Sequence, residues 1–299
     1  MVKKLISGAV LSLMVFLAAC GGNGEDGAQN KTDKNDAEKT TETKLVAGSP
    51  LQDGTYSLTE TNFDENGWKM FITITVEDGK ISDVDYNYEN KEGTLKTDDK
   101  DYQNNMKEKA GVGPQEYVPR LSEQLTEKQD AKLVDIVTGA THSSEKFINY
   151  AQQLIQKAQA GDETHVEIDP GAPLKDGEYK LEEKNFDENG WKTYIHMTVA
   201  DGKITKVDYN NVNKDGNLKT DDDEYQKRMK DKTGVGPQEY IPQLSQALVE
   251  HQNTESIDIV SGATHSSHTF KMYAAQLINA AQRGDTTPIE VDNFVYEKE

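Results

Sequence analysis

The ten-residue string Asp-Ile-Val-Thr-Gly-Ala-Thr-His-Ser-Ser occupies residues 135–144, and it returns at residues 258–267 with serine in place of the first threonine. The two copies begin at residues 135 and 258, an offset of 123 residues. The same offset aligns residues 51–169 with residues 174–292 without a gap. The chain is therefore a tandem duplication, and two copies of one short polar motif predict two copies of one site.

Strand patterns fill the first part of each repeat, which at roughly 120 residues is long enough for a core of its own. In the first repeat, apolar and mostly polar side chains alternate over residues 68–76, the pattern of a half-buried strand. Asp78-Gly79 is a hairpin turn signal, and residues 81–86 form the returning strand. We expect an earlier strand at 54–59 and a final one at 165–169.

Helical patterns follow the strands. Residues 102–110 and 116–128 have helical composition around a Gly-Val-Gly-Pro break. After the repeated string, apolar residues recur at three- and four-residue spacing between Phe147 and Ala158, which predicts an amphipathic helix that ends at Gly161. Strands grouped before helices indicate an α+β class. We therefore predict two tandem homologous domains, each an antiparallel sheet packed with helices.

The N-terminal residues resemble a bacterial lipoprotein signal peptide. Residues 1–19 contain two lysines, a short apolar stretch and small residues that lead to Cys20, the only cysteine of the chain. This resemblance implies that Cys20 carries a lipid anchor in the bilayer. An uncleaved anchor and a cleaved secretory signal are the alternatives.

A polar segment separates Cys20 from the repeats. Because it has almost no apolar side chain until residue 45, it cannot offset its ordering entropy by burial. We assign residues 20–48 to a lipidated, disordered tether, 49–169 to the first domain and 170–299 to the second. The net charge of −20 repels phosphate backbones, so nucleic acid is not an expected partner.

The repeated string lies between a mostly apolar segment, Leu133 to Val137, and the start of the amphipathic helix. A helix start offers unpaired N–H groups and a positive dipole end, which suit a phosphate. Gly139 permits a tight backbone, Ala140 leaves room, and Thr141 presents a hydroxyl. In the alternative interpretation, Thr141, Ser143 and Ser144 only cap the helix.

The pattern Asp-x-x-[Ser/Thr]-Gly-Ala-Thr-x-[Ser/Thr] resembles the flavinylation motif of the FMN-binding domain family. The resemblance implies that the threonine after Gly-Ala carries FMN through a phosphodiester, which a magnesium-dependent flavin transferase installs from FAD. Magnesium belongs to that transferase only. The acceptors would be Thr141 and Thr264. The matching motif residues are Asp135, Thr138, Gly139 and Ala140 in the first repeat and Asp258, Ser261, Gly262 and Ala263 in the second.

A lipid anchor, a tether and two such domains are similar to the flavoprotein lipoproteins of Gram-positive extracellular electron transfer. This resemblance implies an electron carrier rather than an enzyme, held at the extracellular face of the cell membrane. Its partners would be a membrane NADH dehydrogenase with its quinone system and extracellular acceptors such as ferric iron. In such a carrier the bound flavin supplies the redox chemistry, and the protein supplies attachment and exposure.

Two further retained blocks, Leu-Lys-Thr-Asp-Asp and Gly-Val-Gly-Pro-Gln-Glu-Tyr, are candidates for the wall of a flavin pocket. The candidate residues are Lys96, Lys219, Gly113 and Gly236. The same blocks could equally be solvated surface. Trp68 and Trp191 begin alternating strands, so we expect them in the core rather than in a stacking platform.

No metal site is expected. Residues 211–222 mimic a calcium loop but lack its leading aspartate and its terminal glutamate. His142 and His265 are the only histidines at matched positions, and solvation or capping explains them better than a metal does. Two other function classes stay open: a surface binding module with unmodified threonines, and a precursor of a signal-derived pheromone peptide.

Overall fold

In each repeat a four-stranded sheet carries three helices, and the computed structural model describes this arrangement over residues 44–297. The first repeat contains, in chain order, β1 (Leu45–Ala47), β2 (Gly54–Glu60), β3 (Lys69–Glu77), β4 (Lys80–Glu89), α1 (Lys100–Ala110), α2 (Pro114–Lys128), α3 (Thr141–Ala160) and β5 (Val166–Ile168). The second contains β6 (Gly177–Glu183), β7 (Lys192–Ala200), β8 (Lys203–Val212), α4 (Asp223–Thr233), α5 (Pro237–His251), α6 (Thr264–Arg283), β9 (Ile289–Val291) and β10 (Val295–Tyr296). The expected signal peptide, Cys20 and the tether up to residue 43 lie outside the described residues.

The sheet order is β4-β3-β2-β5 in the first repeat and β8-β7-β6-β9 in the second. The α+β class and the two tandem domains are confirmed. Three strands of each sheet are antiparallel, as expected, whereas β5 runs parallel to β2 and β9 parallel to β6. The fourth strand is parallel because α3 or α6 first carries the chain back across the sheet.

The hairpin between β3 and β4 is closed by Asp78-Gly79, as predicted. Both residues have positive φ, 53° and 72°, which matches the twist of the flanking strands. Asp201-Gly202 repeats this turn with φ of 53° and 70°. Gly161 ends α3 in the left-handed conformation, which confirms the predicted helix end.

The core of each repeat lies between one face of the sheet and the long helix. The inward side chains of β3 are the predicted alternating set, and all are buried: Met70, Ile72, Ile74 and Val76. They meet the buried face of α3, formed by Phe147, Tyr150, Ala151, Leu154, Ile155 and Ala158. Trp68 and Trp191 are buried beside this core, as expected.

Within residues 44–297, no helix combines the length and the apolar character needed to cross a bilayer.

The two repeats pack together through α3 and α6. Gln153 donates to Asn279 over 3.1 Å, and Gln156 donates to Gln276 over the same distance. Gln153 and Gln276 hold equivalent positions, as do Gln156 and Asn279. A local twofold rotation therefore maps one hydrogen-bonded pair of residues onto the other. Each repeat therefore presents the same face to the other.

The first and last strands join the ends of the described chain. β1 pairs antiparallel with β10, and Ser49 Oγ donates to Asp292 Oδ2 over 2.5 Å. The predicted tether ends at residue 48, but Leu45–Ala47 already belong to the folded part. The sequence boundary was placed too late because the partner strand lies about 250 residues away, where no local pattern points to it.

Candidate functional site

The long helix of each repeat begins at the threonine that follows Gly-Ala. Thr141 opens α3 and Thr264 opens α6, and both side chains are exposed. Neither helix has a side-chain cap, whereas the Asp99 and Asp222 carboxylates cap α1 and α4. The capping interpretation of the motif is therefore wrong. The first N–H groups of α3 and α6 remain available to an anion.

The last serine of the string is buried and joins the segment before the helix to its first turn through two hydrogen bonds. Ser144 Oγ accepts from the Val137 N–H over 3.0 Å and donates to the Ala140 carbonyl over 2.9 Å. Ser267 makes the equivalent bonds over 3.1 and 2.9 Å in the second repeat. This bridge fixes the approach segment against the first helical turn, which explains why serine occupies this position in both repeats.

A glycine elbow precedes each threonine. Gly139 has φ of +82°, and a Cβ atom there would lie 2.2 Å from the Ala110 carbonyl oxygen and 3.0 Å from Val112 Cγ1. Gly262 is in the same position against the Thr233 carbonyl, at 2.4 Å. Only glycine allows this approach with this backbone. The elbow therefore packs on the Gly-Val-Gly-Pro segment, which brings two of the retained blocks together.

The polar residues upstream of the elbow lie at the surface. Asp135 is exposed, and its carboxylate pairs with Lys128 Nζ at 2.6 Å. Gln124 holds the Asp135 backbone by accepting from its N–H over 2.9 Å and donating to its carbonyl over 3.3 Å. Asp258, Thr138 and Ser261 are likewise exposed.

Each retained lysine of the Leu-Lys-Thr-Asp-Asp block is buried in an aromatic cage. Lys96 Nζ lies 4.3 Å from the ring centroid of Tyr88, 4.5 Å from that of Tyr102 and 5.6 Å from that of Trp68. Lys219 Nζ lies 4.6 Å from the Tyr225 centroid. With 5% and 6% of their surfaces exposed, the two lysines are not solvated surface residues. Burial lowers the pKa of Lys96 to about 8 and also lowers the pKa of Lys219.

The low pKa of Lys96 predicts a pH-dependent stability. Between pH 8 and the ordinary lysine pKa of 10.5, the unfolded state binds more protons than the folded state, so the free energy of unfolding rises with pH. We expect it to rise by roughly 2 kcal/mol between pH 7 and pH 9.5, relative to Lys96→Met. Urea unfolding of the parent and the variant proteins at the two pH values checks this. The exposed control Lys100→Met should show the same pH dependence of the free energy of unfolding as the parent protein. If Lys96→Met shows that dependence too, the prediction is wrong.

Gly113 and Gly236 allow neighbouring helices to pack closely. They precede α2 and α5, and each N–H donates over 2.9 Å to the glutamate three residues later. A Cβ atom at Gly113 would lie 2.3 Å from Gln103 Oε1, and the second repeat repeats this contact. These glycines thus allow α1 and α2, or α4 and α5, to meet closely.

A cleft of about 510 Å³ opens beside the start of α6. The cage residues Lys219 and Tyr225 line it together with His265 and Ser266 of the repeated string. Further walls come from the second sheet and from the first repeat: Glu183, Thr193, Tyr209, Asn211, Asp130, Lys132 and Leu133. An adjoining cleft of about 420 Å³ contains Thr264, shares His265 and is bordered by Asp135 of the first repeat. Thr264 and the caged Lys219 therefore line two clefts that meet at His265 of the repeated string.

A buried carboxylate at the end of β2 and of β6 was missed by the sequence analysis. Glu60 accepts from the Met70 N–H over 2.8 Å and from the Tyr150 hydroxyl over 2.8 Å. Glu183 accepts from the Thr193 N–H over 2.8 Å and from the Tyr273 hydroxyl over 2.7 Å. The signal was present, because glutamate and tyrosine occupy both matched pairs of positions.

Metal chemistry has no visible site in the described part of the chain. Over residues 44–297, no group of three or more His, Cys, Asp or Glu side chains could hold an ion. His142 and His265 are exposed, in agreement with the sequence interpretation. Asn211, in the calcium-like stretch, is buried and accepts instead from the Thr193 hydroxyl over 3.1 Å.

Comparison with known proteins assigns both repeats to one family. The FMN-binding domain pattern matches residues 67–156 and 190–279, more than half of the chain. The chain is 42% identical over 118 residues to the 15 kDa lipoprotein of Treponema pallidum (strain Nichols), covering 40% of this chain and 84% of that protein. A crystal structure of a Clostridium perfringens protein matches at 38% identity and a TM-score of 0.38, covering 40% of this chain and 98% of the other. A solution structure from Clostridium thermocellum matches at 29% identity and a TM-score of 0.26, covering 36% and 92%.

The uncapped helix starts and the glycine elbows thus occur in two domains of one family. The chain belongs to the FMN-binding domain family, which it represents with two tandem copies.

Proposed function

We propose that this protein is a lipid-anchored extracellular electron carrier that holds two FMN groups covalently, one on Thr141 and one on Thr264. The observation that carries the proposal is the start of α3 and α6. In both, an exposed threonine opens an uncapped helix within a domain of the FMN-binding family. A phosphodiester on that hydroxyl would place its phosphate at N–H groups that have no side-chain acceptor.

The residues around the second threonine fit a flavin. The cleft of about 510 Å³ is within the range of cofactor sites, and Tyr209 and Tyr225 supply aromatic walls. Lys219 supplies a cation that would stabilise the negative charge of a reduced flavin ring. In this site the protein would orient the ring and tune it electrostatically, while bound FMN would supply reversible uptake and release of two electrons with their protons.

Two observations support the anchoring, and the donor and acceptors are proposed from the resemblance alone. The single cysteine follows a lipoprotein-type signal sequence, and the matched Treponema pallidum relative is named a lipoprotein. The tandem arrangement is similar to that of the lipoproteins of Gram-positive extracellular electron transfer. We therefore propose a membrane NADH dehydrogenase with its quinones as donor and extracellular oxidants such as ferric iron as acceptors.

Peptide mass spectrometry of protein expressed with and without a flavin transferase tests the attachment. We expect an FMN-sized addition on the peptide that contains Thr141 and on the one that contains Thr264, only in the presence of the transferase and magnesium. Flavin fluorescence should remain with the denatured chain. Unmodified peptides would favour the surface binding module with free threonines.

A further inference from the structure

The two buried carboxylates, although equivalent in position, receive their cations from different places. Glu60 pairs with Lys146 Nζ at 3.0 Å, and Lys146 lies on α3 of the same repeat. Glu183 pairs with Lys132, which belongs to the other repeat. Thr269 stands where a second copy of Lys146 would be. The second repeat therefore has no cation of its own at this place and takes one from the first.

The arrangement follows from opposite charges at one pair of equivalent positions in the two repeats. Lys132 of the first repeat corresponds to Glu255 of the second. Under the local twofold rotation, Lys132 approaches Glu183, while Glu255 approaches Lys146 and lines a cleft with it. Each segment thus reaches across the interface, but only Lys132 completes an ion pair with the buried glutamate.

The Lys132–Glu183 pair lines the cleft of about 510 Å³ in which the proposed Thr264 flavin would lie. Both residues line the cleft that holds Lys219, Tyr225 and Ser266. The Lys132 and Glu183 side chains are only 16% and 5% exposed, and Lys132 Nζ also lies 5.2 Å from the Tyr273 ring centroid. A charge held this close to the cleft acts through little intervening water, so its effect on a bound ring is strong.

We propose that the second flavin site is composite: Lys132 of the first repeat is a positioning residue that pairs with Glu183 at the wall of the Thr264 site. In the first repeat, by contrast, the equivalent Glu60 pairs with Lys146 of the same repeat. This inference rests on the proposed function, since it assigns an electrostatic role toward the Thr264 flavin. The second site then depends on contact between the repeats, because its cation comes from the first.

The electrostatics of Glu183 support this assignment. Burial acts to raise the pKa of the Glu183 carboxyl, but the Lys132 ammonium and the surrounding hydrogen bonds hold that pKa below its ordinary value. The other titratable groups that face Glu183 are Tyr273 on α6, Tyr209 on β8 and Lys219. Without Lys132, the buried carboxylate would take up a proton at a higher pH.

Single-flavin proteins separate the two sites. With Thr141→Ala, only the Thr264 flavin remains, and Lys132→Met should lower its midpoint potential at alkaline pH, where Glu183 is ionised. The difference from the parent should shrink as the pH falls and Glu183 takes up a proton. Lys132→Arg should restore the parent potential, and so should Lys132→Met combined with Glu183→Gln, which removes both charges.

The matched control uses Thr264→Ala, in which only the Thr141 flavin remains. There, Lys132→Met should leave the potential unchanged, whereas Lys146→Met should lower it. Equal shifts of both flavins by Lys132→Met, or no shift of either, would overturn the composite site.

A flavin-free readout keeps this test separate from the proposed function. In unflavinylated protein, carbon-13 NMR titration of the Glu183 carboxyl should show a higher pKa after Lys132→Met and an unchanged one after Lys146→Met. An unchanged Glu183 pKa after Lys132→Met would refute the ion pair itself. If the NMR shift appears but Thr264 is never flavinylated, the electron-carrier proposal fails while the cross-repeat pair stands.

Discussion

Replacing Thr141 and Thr264 together by alanine should remove all covalent flavin and reduce electron delivery to ferric iron to the level of cells that lack the protein. Each threonine is exposed at the first residue of its helix, so loss of the hydroxyl leaves the core intact. The folded fraction should therefore be unchanged, as circular dichroism can verify. Each single variant should retain one flavin, on the other repeat.

The matched control for this double variant is Ser122→Ala with Ser245→Ala. These serines occupy equivalent positions on α2 and α5, away from the repeated string. This control should keep both flavins and normal ferric reduction. If the threonine double variant reduces ferric iron as fast as the parent protein, the relay is wrong, and either a noncovalent binding module or a pheromone precursor becomes the better explanation.

The largest effect on folding is expected from Gly139→Ala. The new Cβ would lie 2.2 Å from the Ala110 carbonyl oxygen, and the backbone φ of +82° adds the strain of a left-handed residue. We expect a loss of about 3–5 kcal/mol in the free energy of unfolding, because neither the carbonyl nor the elbow can move without displacing the start of α3. Urea unfolding of the unflavinylated protein measures it.

Gly111→Ala is the matched control for the elbow. Gly111 has nearly the same φ, +79°, but a Cβ there would meet no atom within 4 Å. Its cost should be limited to the backbone strain, about 1–2 kcal/mol. Gly262→Ala and Gly234→Ala form the same pair in the second repeat. Equal losses at the elbow and at the control would show that the close contact with the Ala110 carbonyl has no energetic weight.

Local patterns were sufficient for the secondary structure of each repeat. The alternation through Ile72 and Ile74, the Asp78-Gly79 turn and the helix end at Gly161 are all set by residues within a few positions, and all three were predicted correctly. The parallel entry of β5 was not predicted, since strand direction depends on where α3 returns the chain. The β1–β10 pair was missed for a similar reason.

The candidate site divides along the same line. The position of Thr141 at a helix start follows from the string itself, whereas the burial of Lys96 does not. Its cage combines Trp68, Tyr88 and Tyr102 from separate elements, so the block around Lys96 could be read equally as pocket or as surface. The partner of Glu183 was beyond sequence reasoning altogether, because Lys132 comes from the other repeat.

The pairing of β1 with β10 also sets an order of events for a chain that is synthesised from its N-terminal end. Leu45–Ala47 form the first strand of the described fold to be made, whereas Val295–Tyr296 form the last one. Both domain cores can assemble before β1 pairs with β10, because neither core uses these strands to complete its sheet. Until β10 has been made, β1 therefore has an unpaired strand edge, and closure of this two-stranded pair completes the fold after both cores have formed.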